Sequence, residues 1–150
     1  MPTDQPESDF LKGFRAAFEE GTRAWNEGDV KRAYAALGED VEYQLAAGWP
    51  QARVLRGGDE VIAFFEDFQE TFPDAQTSSH AFIEGAGGTV VVGFRVTGSG
   101  RSSGAGTEMD IWQMWELTEE LTPIRVTEFS DRHDALEAAG VLEANAWGRE

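Results

Sequence analysis

The chain has 150 residues, of which 41% are hydrophobic and 11% aromatic, so it is long enough for one globular domain and is not disordered throughout. Its formal net charge of −16 disfavours nucleic acid and anionic membrane surfaces as partners, because both are themselves negatively charged. With no cysteine and only two histidines, the sequence excludes disulfides, a thiolate zinc site and a histidine-rich metal site, and we expect neither a metal nor a cofactor.

The sequence has no apolar segment long enough to cross a bilayer, and residues 1–9 lack the basic and apolar blocks of a signal peptide. We therefore expect a cytoplasmic protein. Residues 1–8 are polar and contain two prolines, which predicts a disordered leader. A single domain is predicted over residues 9–141, followed by a tail over residues 142–150.

The first part of the chain has helical periodicity. Phe10, Phe14 and Phe18 recur every four residues, so they line one side of an amphipathic helix. Further on, the carboxylates of Asp59 and Glu60 suit the positive first turn of a helix with an aromatic stripe. Three helices are predicted, over residues 9–26, 30–37 and 59–72.

The rest of the chain alternates between apolar and polar residues, which is typical of strands. A first strand is expected over residues 41–45, and four more after the third helix, over residues 76–84, 89–98, 107–117 and 122–130. Asp131 is expected to cap a short terminal helix that ends near Ala139. Helices followed by antiparallel strands indicate an α+β fold, because a parallel sheet would need helical crossovers.

The strand over residues 108–117 is apolar on both faces. One face carries Trp112 and Met114 with Asp110, and the other carries Ile111, Trp115 and Leu117 with Gln113. The helices can cover one face, so the other needs a second cover. A partner subunit is the simplest such cover, and we expect a homodimer through the sheet.

Short motifs along residues 10–140 resemble those of one family. They are, in chain order, WNEGD at residues 25–29, LGEDVE at 37–42, LRGGDEV at 55–61, VVVGFRVTG at 90–98, MDIW at 109–112 and TEFSD at 127–131. Their order resembles the SnoaL-like branch of the nuclear transport factor 2-like superfamily. The resemblance implies a cone-shaped α+β barrel, in which three helices pack on a curved mixed or antiparallel sheet around a pocket.

The pocket implied by this fold would have a lining rich in aromatic residues. The residues expected to bind a small apolar molecule are Trp25, Trp49, Phe65, Phe68, Trp112 and Met114, together with Tyr43. An apolar cavity with a few polar groups is typical of small-molecule sites. The alternative is that these side chains pack as ordinary core, and Trp49, which precedes a proline in a loop, fits that alternative least.

Asp110 is the first candidate catalytic residue. Alternation places its side chain beside Trp112 and Met114, where an apolar wall would raise the pKa of the carboxyl and suit it to proton transfer. Its position also resembles that of the strand acid in ketosteroid isomerases and polyketide cyclases of the superfamily. The alternative is a structural ion pair between Asp110 and Arg95 across neighbouring strands.

Tyr43 and His80 are the candidate partners of Asp110. By the resemblance, the helix-one tyrosine of the isomerases falls on Gly21 and their first-strand aspartate falls on Tyr43, which makes isomerase chemistry by that mechanism doubtful. Tyr43 would then serve as a hydrogen-bond donor. Cyclases and dehydratases of this fold pair their acid with a histidine, and His80 fits that role if it faces the pocket.

Three functions follow from these residues and from the resemblance. The first is a cofactor-independent acid/base isomerase, cyclase or dehydratase acting on a small apolar carbonyl compound. The second is a module of the same fold that binds such a ligand without converting it. The third is an interaction module in which the cone is filled core and the dimer is the functional unit.

Overall fold

The computed structural model describes residues 7–46, 53–99 and 106–141. In these residues four helices pack on one six-stranded sheet. The elements in chain order are α1 (Asp9–Asn26), α2 (Val30–Ala33), β1 (Glu42–Gln44), β2 (Val54–Arg56), α3 (Gly57–Thr71), β3 (Gln76–Glu84), β4 (Thr89–Ser99), β5 (Gly106–Leu117), β6 (Pro123–Phe129) and α4 (Arg132–Ala138). None of the helices in this described part of the chain is both long and apolar enough to span a bilayer.

The sheet has the strand order β2-β1-β6-β5-β4-β3. The pair β1 and β6 is parallel and the other neighbours are antiparallel, so the sheet is mixed. This architecture confirms the predicted α+β cone of helices on a curved sheet. The sequence does not predict β2, because its Val54 and Leu55 are consecutive apolar residues and show no alternation with polar ones.

Helix α1 confirms the predicted amphipathic helix at both ends. Its cap is Ser8, whose hydroxyl accepts a hydrogen bond from the Leu11 amide at 3.0 Å. Ser8 therefore belongs structurally to α1, although the sequence places it in the leader. Glu7, which the sequence also places in the leader, forms an ion pair with Arg15 of α1. Residues 1–6 of that leader and the predicted tail, residues 142–150, lie outside the described residues.

The aromatic stripe of α1 packs on the inner face of the sheet. Phe14 lies 5.4 Å from Trp115 and Phe18 lies 6.3 Å from Phe94, measured between ring centroids. Helix α3 adds Phe65, which is 3% exposed, to the same core. Helix α2 has a single turn, because Tyr34 leaves the helical conformation and stacks its ring on Phe65 at 5.2 Å.

The outer face of the sheet is covered in part by α4. Ala135, Leu136 and Ala139 form a second core there with Trp112 and Met114, separate from the core beneath α1 and α3. Helix α4 of the same chain therefore buries this apolar patch, for which the sequence analysis expects a partner subunit. The homodimer stays a prediction, but it no longer follows from an uncovered Trp112 and Met114.

Another part of the outer face is charged. Four residues directly opposite one another on β2, β1, β6 and β5 form a row of alternating ion pairs. They are Arg56, Glu42, Arg125 and Glu116, with nitrogen to oxygen distances of 2.7, 3.7 and 3.5 Å along the row. These side chains are exposed or half-buried, so the row keeps this part of the sheet hydrated and contributes little to stability.

Candidate functional site

A cavity of about 140 Å³ lies between the helices and the inner face of the sheet. Its volume resembles that of cavities that hold a benzene-sized guest, which is about 150 Å³. The wall is mainly aromatic and aliphatic, with Phe14, Phe18, Trp25, Tyr34, Phe65, Phe94, Trp115 and Leu117 as its large members. Because Ala17 and Ala36 line the cavity and are also exposed, the cavity opens to solvent between α1 and the segment after α2.

Three buried polar side chains meet in the cavity wall, one each from β1, β5 and β6. The Tyr43 hydroxyl donates to Glu128 Oε2 at 2.6 Å, and Gln113 Nε2 donates to the Tyr43 oxygen at 2.6 Å. Gln113 Nε2 also lies 3.0 Å from Glu128 Oε2. Tyr43, Gln113 and Glu128 are 0%, 3% and 4% exposed, so these hydrogen bonds are shielded from bulk water.

Two further donors orient this group. The indole Nε1 of Trp115 donates to Gln113 Oε1 at 2.8 Å, and an indole N–H can only donate. This contact turns the Gln113 amide so that its NH₂ faces Tyr43 and Glu128. On the other side, the Ala46 amide donates to Glu128 Oε1 at 3.3 Å, so both carboxylate oxygens of Glu128 accept hydrogen bonds.

The strand order explains why these side chains meet. Gln113 and Glu128 are direct partners in the pair β5 and β6, and the parallel pair β1 and β6 brings Tyr43 beside them. Val126 and Glu128 point to the same face because side chains alternate along a strand, and both are buried. The network therefore depends on pairing between strands far apart in the sequence.

Both tyrosines of the cavity keep their protons. Burial, followed by the charge of Glu128, raises the pKa of Tyr43 well above its usual range. The same two causes raise the pKa of Tyr34, whose hydroxyl also interacts with the side chains of Trp25 and Tyr43. Each tyrosine is therefore a neutral hydroxyl near pH 7, able to donate a hydrogen bond but not to act as a base.

Asp110 does not lie in this cavity, and the predicted rise of its pKa is wrong. Its side chain is 51% exposed on the outer face, where it accepts a hydrogen bond from Arg95 Nε at 2.9 Å. That hydrogen bond, opposed by weak desolvation, lowers the pKa of Asp110. The ion pair with Arg95 confirms the structural alternative drawn from the sequence.

Asp110→Asn is therefore expected to leave ligand binding in the cavity unchanged. The change should cost slightly in stability near neutral pH, because the folded-state pKa of Asp110 lies below its ordinary value of 3.8. This contribution is present above that ordinary value and is lost as the pH falls through the lowered pKa. Urea unfolding near neutral pH and in acid, with ligand titrations, checks both statements. Loss of ligand binding in a folded variant would contradict this assignment.

His80 also lies outside the cavity. It is exposed at a bulge of β3 and its ring meets Trp112 edge-on, 5.4 Å between centroids, on the outer face. The bulge between Ser79 and Ala81 shifts the alternation, which is why the sequence pattern leaves the direction of His80 ambiguous. The predicted acid/base pair of His80 and Asp110 is therefore not at the cavity.

The predicted lining residues divide into three groups. Trp25, Tyr43 and Phe65 line the cavity as expected. Trp112 and Met114 do not, because they point to the outer face and lie under α4, and Phe68 packs instead beside Trp25 with ring centroids 6.1 Å apart. Trp49 lies outside the described residues.

Four residues of the site are not among those predicted from the sequence: Glu128, Tyr34, Gln113 and Trp115. Glutamine at position 113 lies between apolar residues on its strand face, which was the available signal of a buried polar group. Glu128 shares its face with Val126 in the same way, but one acidic residue near a strand end ordinarily indicates exposure.

One group of described residues could present ligands to a metal ion. His133, Asp134 and Glu137 are exposed on α4 and their ligand atoms lie within 4.8 Å of one another. Helix α4 packs on the outer face of the sheet, so this group lies on the opposite side from the cavity.

The comparisons with known proteins agree with the fold. The sequence profile of the SnoaL-like domain matches residues 14–121, and the chain belongs to this family. A comparison with curated proteins gives no match.

Three solved structures share the architecture at low sequence identity. SalBIII, an epoxide hydrolase/cyclase-like enzyme with a role in pyran ring formation in the polyether salinomycin, is 17% identical with a TM-score of 0.66 over 82% of this chain and 94% of its own. Bal32a, from a soil-derived mobile gene cassette, is 15% identical with a TM-score of 0.68 over 94% and 98%. An NTF2-like protein of unknown function from Burkholderia pseudomallei is 19% identical with a TM-score of 0.65 over 89% and 98%.

Proposed function

We propose that the protein binds a small, largely apolar carbonyl compound in the cavity and catalyses a cofactor-independent proton transfer on it, as an isomerase, cyclase or dehydratase. The observation that carries this proposal is Glu128, a carboxylate that is 4% exposed in the wall of an apolar cavity. A carboxylate removed from bulk water and close to a bound substrate is suited to act as a general base. SalBIII supports the proposal only as an example of small-molecule chemistry on this fold.

The proposed roles follow from the hydrogen bonds. In an isomerisation, Glu128 accepts the proton from the carbon next to the substrate carbonyl and returns it to the γ-carbon, so the carboxylate is regenerated. The Tyr43 O–H, which donates to Glu128 in the structure, turns to the substrate oxygen on which negative charge develops, while Gln113 continues to donate to Glu128. The Tyr43 hydroxyl lies 2.6 Å from Glu128 Oε2, so a donor and a base act on neighbouring atoms of one small substrate. Gln113 and Trp115 position this pair.

The charge of the cavity limits the substrate class. Among the described residues that line the cavity, Glu128 is the one carboxylate, and there is no lysine, arginine or histidine. The whole chain carries a formal charge of −16, so a free carboxylate or phosphate would enter against repulsion. The proposed substrate is therefore neutral or cationic at the end that enters the cavity.

A second candidate is binding without conversion. Glu128 already accepts hydrogen bonds from Tyr43, Gln113 and Ala46, so the group is satisfied without a substrate. A satisfied buried network also rigidifies a pocket, which suits a ligand-binding module.

A panel of β,γ-unsaturated cyclic ketones tests both candidates with the same samples. Binding is read from tryptophan fluorescence, and conversion from the ultraviolet absorbance of the conjugated ketone. Quenching with conversion supports the enzyme, and quenching without conversion supports the binding module. The absence of both across the panel would count against both proposals.

The quenching is expected to depend on Trp115 and not on Trp112. Trp115 lines the cavity, whereas Trp112 lies under α4 on the opposite face of the sheet. Trp115→Phe should therefore remove a large part of the ligand-induced signal, and Trp112→Phe, the matched control, should retain it. Fluorescence titration of the two variants, each checked for cooperative unfolding, makes the comparison. A signal that disappears only in Trp112→Phe would place the ligand elsewhere.

A further inference from the structure

The cavity lining contains small and large residues near solvent. The small ones are Ala17 and Gly21 of α1 with Ala33 and Ala36 around α2. The lining also includes Leu121, a half-buried residue in the turn between β5 and β6, and Pro123, which follows that turn. Leu121 is therefore a large apolar side chain at the boundary between the cavity and solvent.

Leu121 has an unusual backbone conformation. Its φ is +69°, and among the described residues no other non-glycine residue has a positive φ. The turn that holds it is tight, since the Leu121 amide donates to the Thr118 carbonyl at 2.9 Å and the Thr122 amide donates to Thr118 Oγ1 at 3.1 Å. Glycine and asparagine occupy this left-handed region at least cost, so the turn by itself favours another residue.

The side chain of Leu121 has a matching gap on α1. A Cβ atom added to Gly13 would lie 2.8 Å from Leu121 Cδ1, closer than carbon atoms approach one another. Leu121 is half-buried, and it packs against the core formed beneath α1. A leucine therefore occupies a strained backbone position, and its side chain lines the cavity and lies against Gly13 of α1.

We propose that Leu121, seated against Gly13, is a specificity-determining residue that limits the length of the ligand and its rate of entry. This inference rests on the proposed function in one respect, that the cavity admits small molecules. Strained residues persist where the surrounding structure holds them, and they concentrate at binding sites and switch regions. Here the strained residue carries an apolar side chain that lines the cavity and is partly exposed to solvent.

A homologous series of linear 2-alkanones measures the length limit. Affinity is expected to rise about fourfold for each methylene that is buried, until the chain reaches Leu121 and the rise stops. In Leu121→Gly the rise should continue for at least one further methylene, and stopped-flow quenching should show faster association. Glycine suits the positive φ, so the variant is expected to fold. Glu120→Ala, in the same turn but exposed, is the control and should behave as wild type.

Gly13→Ala tests the same contact from α1. The added methyl group must displace the Leu121 side chain. Gly13→Ala should therefore change the length limit when it is introduced into the wild-type protein, but not when it is introduced into Leu121→Gly. If Leu121→Gly keeps the wild-type length limit and association rate, Leu121 is an ordinary core residue and the inference is overturned.

Acrylamide quenching gives a readout that needs no bound ligand. The contribution of Trp115 is the difference in acrylamide quenching between a protein that has Trp115 and the same protein with Trp115→Phe. This contribution should be larger in the Leu121→Gly background than in the wild-type background. A rise in a protein that binds no ketone would support the entrance role while counting against the proposed function. An unchanged constant would overturn the entrance role even if ketones bind.

Discussion

Gly58→Ala is expected to lower the free energy of unfolding by about 3 kcal/mol, because there is no room for a side chain at this position. A Cβ atom at residue 58 would lie 2.4 Å from the backbone oxygen of Leu37. That oxygen belongs to the main chain and cannot rotate away, so the start of α3 or the segment after α2 has to move.

Close packing at Gly57 and Gly58 also allows backbone hydrogen bonds that take the place of a side-chain cap on α3. The residue before the helix makes no capping hydrogen bond through its side chain. Instead, the amides of Gly57 and Gly58 donate to the carbonyls of Val41 and Gly38 at 2.8 and 3.0 Å, which satisfies two of the free N–H groups at the start of the helix. A displacement at Gly58 would break these bonds as well.

Gly38→Ala is the matched control, in the same segment. A Cβ atom there meets nothing within 4 Å, and the backbone of Gly38 lies outside the left-handed region. This variant is expected to be neutral or to gain about 0.4–1 kcal/mol through the lower entropy of the unfolded chain. Urea unfolding followed by far-ultraviolet circular dichroism compares the two. Equal midpoints for Gly58→Ala and Gly38→Ala would contradict the predicted clash.

The position of α3 also matters to the cavity. Helix α3 carries Phe65, whose ring lies 5.2 Å from Tyr34 and 5.9 Å from Tyr43. A shift of its first turn therefore changes the packing around the Tyr43 hydroxyl. Any folded fraction of Gly58→Ala is expected to bind ligand more weakly than Gly38→Ala.

The helices and strands were largely predictable because their signals are local. The repeat of Phe10, Phe14 and Phe18 predicts α1 whatever it packs against, and the alternation along β5 reveals two apolar faces. Alternation does not indicate which face meets which helix. The face with Gln113 and Trp115 lines the cavity, whereas the face with Asp110 lies outside, partly under α4.

The candidate site was less predictable because its contacts are not local. Tyr43 and Glu128 are 85 positions apart, and they meet through the parallel pair β1 and β6. No local pattern predicts that pair, since β1 has only three residues. Without it, nothing in the sequence connects Glu128 with Tyr43, and Asp110, an acid with an aromatic neighbour on its own strand, is preferred in error.

Glu128→Gln is expected to reduce turnover of any converted ketone by about a thousandfold, because the amide cannot accept the substrate proton. The replacement keeps the shape of the side chain and one acceptor oxygen. It also places an NH₂ group among the donors of Gln113 and Ala46, which should lower the free energy of unfolding by about 1–3 kcal/mol. Activity is therefore measured at a temperature at which the variant is folded.

Two variants separate catalysis from stability. Glu116→Gln makes the same chemical change on the outer face, where Glu116 pairs with Arg125 at 3.5 Å, and turnover should be unchanged. Tyr43→Phe removes the proposed oxyanion donor but keeps the base, so turnover should fall by about a hundredfold.

Binding is the measurement that decides between the two proposed functions. If Glu128 is the base, the ketone should still bind to Glu128→Gln and quench the fluorescence of Trp115, while kcat falls. The reason is that the carboxylate acts on the transition state, whereas the apolar wall of the cavity binds the substrate in its ground state. If wild type binds ketones and converts none, Glu128 is a structural acceptor and the protein is a binding module. Conversion retained in folded Glu128→Gln would exclude Glu128 as the base.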